Sequence, residues 1–328
     1  MTPDHLNPNI FAKDVERVPN RNGYGEGLCE VGEKDERVVA LAADLTESTR
    51  TNMFAEKFPK RFTQMGIAEQ SMASVASGMA AMGKIPFVAS YAMFSPGRNW
   101  EQVRTTIAYN EANVKIIGAH AGVSVGPDGA THQALEDIAL MRVLPGMTVL
   151  VPADVHEAKR ATLAAARHEG PVYIRLAREK TPVITSPSSP FEIGKAEIYF
   201  KRDEKHEKKI GIIACGPVLH NAMLAAKELN DMGIGASVMN LATVKSLDTD
   251  VIRAFAKEHG VLVTVEEHQV AGGMGSAVSE FLSDVQPTRV VRLGVQDEFG
   301  QSGAPEELIA FYGIDTKTII ETAKKTAV

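Results

Sequence analysis

Short β-branched runs alternate along the chain with longer segments whose apolar residues recur at helical spacing. That alternation is the signature of parallel strands joined by helices. In the first region Val38 to Ala42, Pro86 to Ala89, Val114 to Gly118, Thr148 to Val151 and Val172 to Arg175 read as buried strands. The helix-period segments between them are Asn22 to Gly32, Ile67 to Met82, Arg98 to Tyr109, Gln133 to Val143 and Val155 to Glu169. Gly83, Pro145-Gly146 and Gly170-Pro171 stand where helices should stop.

The pattern then breaks. Ser186-Pro187-Ser188-Ser189-Pro190 and the charged run to Lys209 hold no sustained apolar period, so 186–209 is expected to be a linker with one small hairpin, Ile193 to Phe200 forming its first arm. Alternation resumes with strands at Ile210 to Ala214, Ala236 to Asn240, Val261 to Val265 and Arg289 to Leu293. Helices are predicted at Pro217 to Met232, Asp248 to His259, Gly273 to Leu282 and Pro305 to Tyr312. The expected fold class is α/β, with two domains, each a mainly parallel sheet flanked by helices. Residues 1–13 read as an N-terminal extension, 14–185 as the first domain and 210–328 as a smaller second one.

Composition narrows the function classes. Of 328 residues, 44% are hydrophobic and 23% charged, which fits two soluble domains. No run approaches the ~20 apolar residues of a membrane span, and Met1 to Ile10 lacks the basic-then-apolar pattern of a signal peptide. A cytoplasmic protein is the expectation. The net charge of −6 and the sign-alternating stretch Lys201 to Lys209 argue against a nucleic-acid surface. Cys29 and Cys215 alone allow neither a disulfide framework nor a zinc cluster.

Two stretches carry chemistry. Gly66-Ile67-Ala68-Glu69-Gln70 opens a small-residue helix that should be heavily buried, where an ionised carboxylate is costly without a partner. A helix-start carboxylate stabilised by the macrodipole is the plainer reading. Further on, His120 to Gln133 is a glycine-rich loop between a strand and a helix, bearing His120, Asp128 and His132. Open α/β sheets bind ligands at that edge. The loop lacks the repeated spacing of zinc ligands, and no residue is assigned to a metal.

Glu69 in this pentapeptide, with Ser90-Tyr91-Ala92-Met93-Phe94 some twenty residues on, resembles the pyrimidine-binding domain of the transketolases. The resemblance runs from about Asp14 to the C-terminus. It implies thiamine diphosphate as cofactor, with Glu69 hydrogen-bonding N1′ of its aminopyrimidine. That contact favours the imino tautomer, through which the cofactor makes its own carbanion. Tyr91 and Phe94 would stack on the ring, and Asp44 would lie near the cofactor at a subunit interface. The family usually has Phe at the Tyr91 position. The run Asp128-Gly-x-Thr-His132-Gln133 resembles the transketolase donor loop. Asp128 would recognise a substrate hydroxyl, and His132 would bind the donor near its C1 hydroxyl and carbonyl and assist proton transfer there. His120, Arg21, Ser48 (ending Ala43-Asp44-Leu45-Thr46-Glu47-Ser48) and Arg178 match a substrate-phosphate site, with Arg175 as second choice.

The resemblance also has gaps. The family binds the diphosphate through Mg²⁺, using a Gly-Asp-Gly segment followed by Asn, and no such segment is found here. The expectation is one subunit of a split transketolase. An N-terminal partner subunit would hold Mg²⁺, in a heterotetramer acting on sugar phosphates. Ala121 and Ala130 replace a common Asp and Pro, which leaves donor preference open. Three alternatives stand beside this one. They are the C-terminal half of 1-deoxyxylulose-5-phosphate synthase, the 2-oxo-acid dehydrogenase E1 β subunit, and a non-catalytic oligomerisation partner. In the second domain Gly272-Gly273-Met274-Gly275 lacks the full dinucleotide fingerprint. His156, His168, His206, His220 and His259 are expected on helix surfaces or in the linker.

Overall fold

A computed structural model describes Met1–Val328. The strands in chain order are β1 Arg17–Pro19, β2 Val38–Ala42, β3 Phe62–Gln64, β4 Ile85–Tyr91, β5 Lys115–Ala119, β6 Thr148–Leu150, β7 Val172–Arg175 and β8 Lys180–Pro182. They continue with β9 Glu197–Phe200, β10 Lys209–Ala214, β11 Gly235–Asn240, β12 Thr243–Lys245, β13 Val261–Gln269 and β14 Arg289–Val295. A 7-stranded sheet has the order β12-β6-β7-β5-β4-β2-β3, and a 5-stranded sheet the order β14-β13-β10-β11-β9. All pairings within them are parallel except those of β12 with β6 and β9 with β11. The expected α/β class with two mainly parallel sheets is what forms. Strands β2 and β5 are buried along their full length, so they read as continuous apolar runs rather than alternating ones.

The two sheets are not independent. Strand β12 lies in the sequence of the second unit yet pairs with β6 of the first, Thr243 facing Leu150. One apolar cluster joins Met141, Val149 and Val151 of the first unit to Ile213, Met239 and Leu241 of the second. Residues 1–13 also pack: Leu6 bridges to Thr185, and Ile10 is buried among second-unit side chains.

Several local expectations need correction. No hairpin starts at Ile193; Glu197–Phe200 is the edge strand β9, paired to β11. The helix expected from Gln133 forms only over Asp137–Arg142. Buried Gln133 instead donates from Nε2 to the carbonyls of Val123 (3.0 Å) and Gln301 (2.9 Å), which fixes the loop before the helix. The Arg98 to Tyr109 helix is α-helical over Trp100–Gln102 and continues as a π-helix over Val103–Ala108. His220 and His259 are buried, not on helix surfaces. His220 Nε2 bonds the carbonyl of Ile10, and His259 lies between Phe255 O and Ser237 Oγ.

The helix Asn20–Lys34 packs closely on the helix Val155–Arg167, because a Cβ at Gly23 would fall 1.9 Å from the Val155 carbonyl oxygen. Asn20, at its start and fully buried, donates to Pro152 O and accepts from the Ala177 N–H at 3.0 Å. The first helical turn is thereby set against the segment that follows β7. No helix is long and apolar enough to cross a membrane.

Candidate active site

Because β2, β3, β4, β5 and β7 run parallel, their carboxyl ends share one edge of the sheet. Asp44 follows β2, Glu69 follows β3, Tyr91 ends β4, His120 follows β5 and Arg178 follows β7. This is the edge at which open α/β sheets bind ligands. Gln64 Oε1 accepts from the backbone N–H groups of Asp44 (2.9 Å) and Gly66 (3.3 Å), so the turns after β2 and β3 are tied together.

Glu69 is the first residue of the helix Glu69–Ala81 and only 1% exposed. Its Oε2 accepts from Arg98 Nη1 at 2.8 Å, while nothing in the chain donates to Oε1. Arg98 was not among the residues expected here. The signal was the electrostatic demand itself, since a buried carboxylate requires a cation. Arg98 also lies over the Phe94 ring, 4.8 Å from its centroid. Asn99 donates to the Glu69 backbone carbonyl at 3.0 Å and steadies the turn.

Aromatic and imidazole rings form the next layer. The Tyr91 and His120 rings stack with centroids 4.0 Å apart, and Phe94 meets His132 edge-on at 5.7 Å. His120 is 3% exposed and has a φ of 55°, a left-handed conformation that costs energy for a residue with a side chain. Arg21 Nη1 lies 3.1 Å from His120 Nε2. A guanidinium can only donate, so Nε2 accepts and the imidazole proton sits on Nδ1. That Nδ1 is buried without a partner. Burial above all, helped by Arg21 and Arg178, pushes the His120 pKa down to about 3, so the ring is neutral at physiological pH.

Arg21 and Arg178 flank it, and Arg50 stands near Arg21. Burial and the charges of Arg50 and Arg178 lower the Arg21 pKa. Arg50, which sequence reasoning also missed, is held by Asn22 Oδ1 at 2.9 Å. Arg178 donates to Val125 O at 2.6 Å and lies 3.6 Å from Asp128 Oδ1. A partly desolvated cluster of Arg with an unpaired imidazole N–H suits an anion with several oxygens. His132 Nδ1 is engaged with Thr131 Oγ1 at 2.9 Å, which leaves Nε2 for a ligand.

Not every candidate joins this group. Ser48 is half-buried and no hydrogen bond connects it to Arg21 or His120. Asp44 is exposed, with a φ of 59°. Arg175 is not a ligand for phosphate at all. It is 5% exposed and its Nε donates to Asp137 Oδ2 at 2.8 Å, an interior pair that Tyr173 Oη joins at 2.7 Å. A side chain on a strand buried on both faces points into the sheet packing rather than beyond its end.

The loop His120 to Gln133 is braced by the second unit. Glu267 Oε1 accepts the Ser124 N–H at 2.5 Å, and a Cβ at Gly122, whose φ is 91°, would fall 2.3 Å from that oxygen. Only glycine permits both the backbone conformation and the approach. Glu266, next to it, accepts the Met274 and Gly275 N–H groups, so the glycine-rich turn binds the protein's own carboxylate.

A buried glutamate, stacked rings and an arginine cluster share one edge of the larger sheet in an α/β protein built on two sheets. The comparisons with known proteins specify it further. The family described as "Transketolase, pyrimidine binding domain" matches residues 16–183, and "Transketolase, C-terminal domain" matches 199–319. The chain is similar to a putative transketolase C-terminal section of Methanocaldococcus jannaschii, 43% identical over 93% of this chain and 96% of that one. It is also similar to the 6-deoxy-6-sulfo-D-fructose transketolase subunit SqwH of a Clostridium species, 39% identical over 92% of each. A solved structure titled as a split gene transketolase, inactive beta4 tetramer, superposes with a TM-score of 0.86 at 43% identity, covering 94% of this chain and 98% of that one. The chain belongs to the transketolase family, and its first domain is the one that implies thiamine diphosphate.

Proposed function

We propose that this chain is the pyrimidine-binding half of a split transketolase, moving a two-carbon ketol unit from a ketose phosphate to an aldose phosphate. The observation that carries the reading is Glu69. Its carboxylate is buried and anchored through one oxygen, with the other free, on the same sheet edge as the Arg21–His120–Arg178 cluster. Relatives of near-equal length named as transketolase subunits support it, and so does the inactive state named for a β4 tetramer. Those relatives differ in substrate, one named for a sulfofructose and another for apulose 4-phosphate. The sugar therefore belongs to the loop chemistry of this chain.

Thiamine diphosphate, when bound, supplies a carbon nucleophile for the ketose carbonyl. With Oε2 held by Arg98, Glu69 would hold the pyrimidine nitrogen through its other oxygen, and Phe94 and Tyr91 would flank the ring. Asp44, exposed on the turn after β2, would stand near the cofactor at the subunit interface. His132 holds the donor near its carbonyl and moves a proton at its free Nε2. Asp128 takes a sugar hydroxyl, and Arg21, Arg178 and His120 take the phosphate. An N-terminal partner subunit would hold Mg²⁺ and the diphosphate, in a heterotetramer with sites at the interfaces.

Co-purifying both subunits and assaying ketol transfer tests this. The expected outcome is transfer by the pair and none by either chain alone, with a loss of about 10²–10⁴-fold in the Glu69→Ala pair. Undiminished transfer by that variant removes the cofactor assignment. Transfer by this chain alone removes the obligate partner.

A further inference from the structure

The connection between β2 and β3 carries a guanidinium that the contiguous motifs do not account for. Arg50 has a φ of 67°, and Asp44 and His120, at the same edge of the larger sheet, also take a left-handed backbone. Such conformations cost energy for a residue with a side chain and gather where function requires them. The loop is pressed onto the helix Asn20–Lys34, where a Cβ at Gly25 would fall 2.9 Å from the Arg50 carbonyl oxygen. Asn22, on the first turn of that helix, accepts from Arg50 Nε at 2.9 Å. This contact fixes the Arg50 side chain near Arg21, the residue before Asn22, and leaves both Nη groups without a partner in the chain.

Two guanidiniums side by side repel each other. Arg178 has carboxylates at hand, Asp128 at 3.6 Å and Glu179 at 3.7 Å. Arg21 instead bonds the neutral His120 ring and Arg50 the neutral Asn22 amide, and neither is ion-paired with a carboxylate. The Arg21 pKa is lowered, by burial first and by the Arg50 charge next. A monoanion bound here neutralises one of the two cations and leaves the other uncompensated. A dianion neutralises both, and its several oxygens suit the planar fork of each guanidinium.

We propose that Arg50 is a substrate-binding residue that acts with Arg21 to select ligands ending in a tetrahedral dianion, such as a phosphate ester, over those ending in a sulfonate monoanion. This rests on the ketol-transfer reading for the sugar that carries the anion, and adds to it a residue and a preference for charge.

The test is isothermal titration of the purified chain, at neutral pH and constant ionic strength, with sodium sulfate and with sodium methanesulfonate. The second offers similar oxygens and a single charge. The expected result is saturable sulfate binding at one site per chain, about tenfold tighter than that of methanesulfonate. Arg50→Gln lowers sulfate affinity about tenfold and methanesulfonate affinity about threefold, because the Coulomb energy lost scales with the charge of the ligand. Wild-type sulfate affinity in Arg50→Gln overturns the proposal. So does an equal loss for both anions, or no saturable sulfate binding by the wild-type chain. The titration needs neither partner nor cofactor, so it stands apart from the ketol-transfer assay. An inactive subunit pair whose chain binds sulfate through Arg50 removes the sugar reading and leaves the anion preference. An active pair with wild-type sulfate affinity in Arg50→Gln removes the preference alone.

Discussion

Arg98 Nη1 lies 2.8 Å from Glu69 Oε2, and the two residues differ sharply in exposure, 48% for the arginine side chain and 1% for the glutamate. The carboxylate is therefore desolvated while its cation remains half in water. Removing the cation leaves a buried acceptor group without its charged partner. Arg98→Met is expected to lower stability by about 1–3 kcal/mol in urea unfolding. The double variant Glu69→Gln/Arg98→Met is expected to recover part of that loss, because the glutamine is neutral. Equal stability of Arg98→Met and wild type would show that the pair contributes nothing.

Glu267 reaches from the second unit into the loop after β5, and the loop segment it holds is continuous with the one Arg178 holds. Ser124 N–H goes to Glu267, and Val125 O receives Arg178. Glu267→Ala removes the clamp and is expected to raise KM for the sugar phosphate about tenfold, an effect of about 1.4 kcal/mol, with a smaller change in kcat. Steady-state assay of the reconstituted pair reads this split. Glu267→Gln keeps the oxygen acceptor and is expected to recover most of the loss. A drop in kcat at constant KM would place Glu267 elsewhere in the mechanism.

Much of the fold is legible in the sequence where local signals and tertiary packing agree. Val38–Ala42 and Val172–Arg175 form strands with the expected bounds, because an apolar run between polar turns has few other places to go. The short strands β3 and β8 have too few residues to carry a period. Strand β12 joins a sheet far from it in sequence, which no local pattern encodes. The site divides the same way. Asp128 and His132 lie in one contiguous motif, so the chain alone groups them as candidates. Arg98, Arg50 and Glu267 act through contacts across 29, 28 and 143 positions, which only the fold brings about. Arg175 shows the converse error, since its place at a strand end did not reveal that its side chain turns inward.

His120 makes a pH dependence testable. Burial, as the largest cause, holds its pKa at about 3 and that of His268 at about 4, against an ordinary value of 6.5. Above 6.5 neither state binds the proton. As pH falls below 6.5 the unfolded chain takes up protons that the folded one refuses, and stability is lost at up to about 1.4 kcal/mol per pH unit for each ring. Glu157 and Glu266 oppose this, because burial raises both to about 7. They are protonated in the fold while still ionised in the unfolded chain, so their stabilisation is present below 4.5 and is lost as pH rises to 7. Between pH 4.5 and 6.5 these two pairs therefore act in opposite directions. His120→Asn removes one opposing term and is expected to gain stability relative to wild type as pH falls through that window. Urea unfolding at half-unit intervals measures the difference, and parallel curves would overturn the assignment.

The Asp137–Arg175 pair provides a final prediction, and it separates a structural from a substrate role. Arg175 is buried, its Nε on Asp137 and its Nη2 on the carbonyls of Ala134 (3.3 Å) and Glu267 (2.8 Å). It thus ties the loop, the sheet and the second unit at one point. Asp137 and Glu267 hold its pKa above the ordinary arginine value despite burial. Arg175→Met leaves Asp137 as an unpaired interior charge and is expected to cost about 3–5 kcal/mol in unfolding free energy. Asp137→Asn/Arg175→Met, which removes both charges, should cost less than the single arginine change, because the penalty lies mainly in the orphaned carboxylate. Arg178→Met, at the loop edge, should do the opposite: little change in stability and a marked rise in KM for the phosphorylated sugar. If Arg175→Met were stable and impaired only in phosphate recognition, the interior pair would not be its function. Thermal unfolding and KM measured on the same three variants decide between the two.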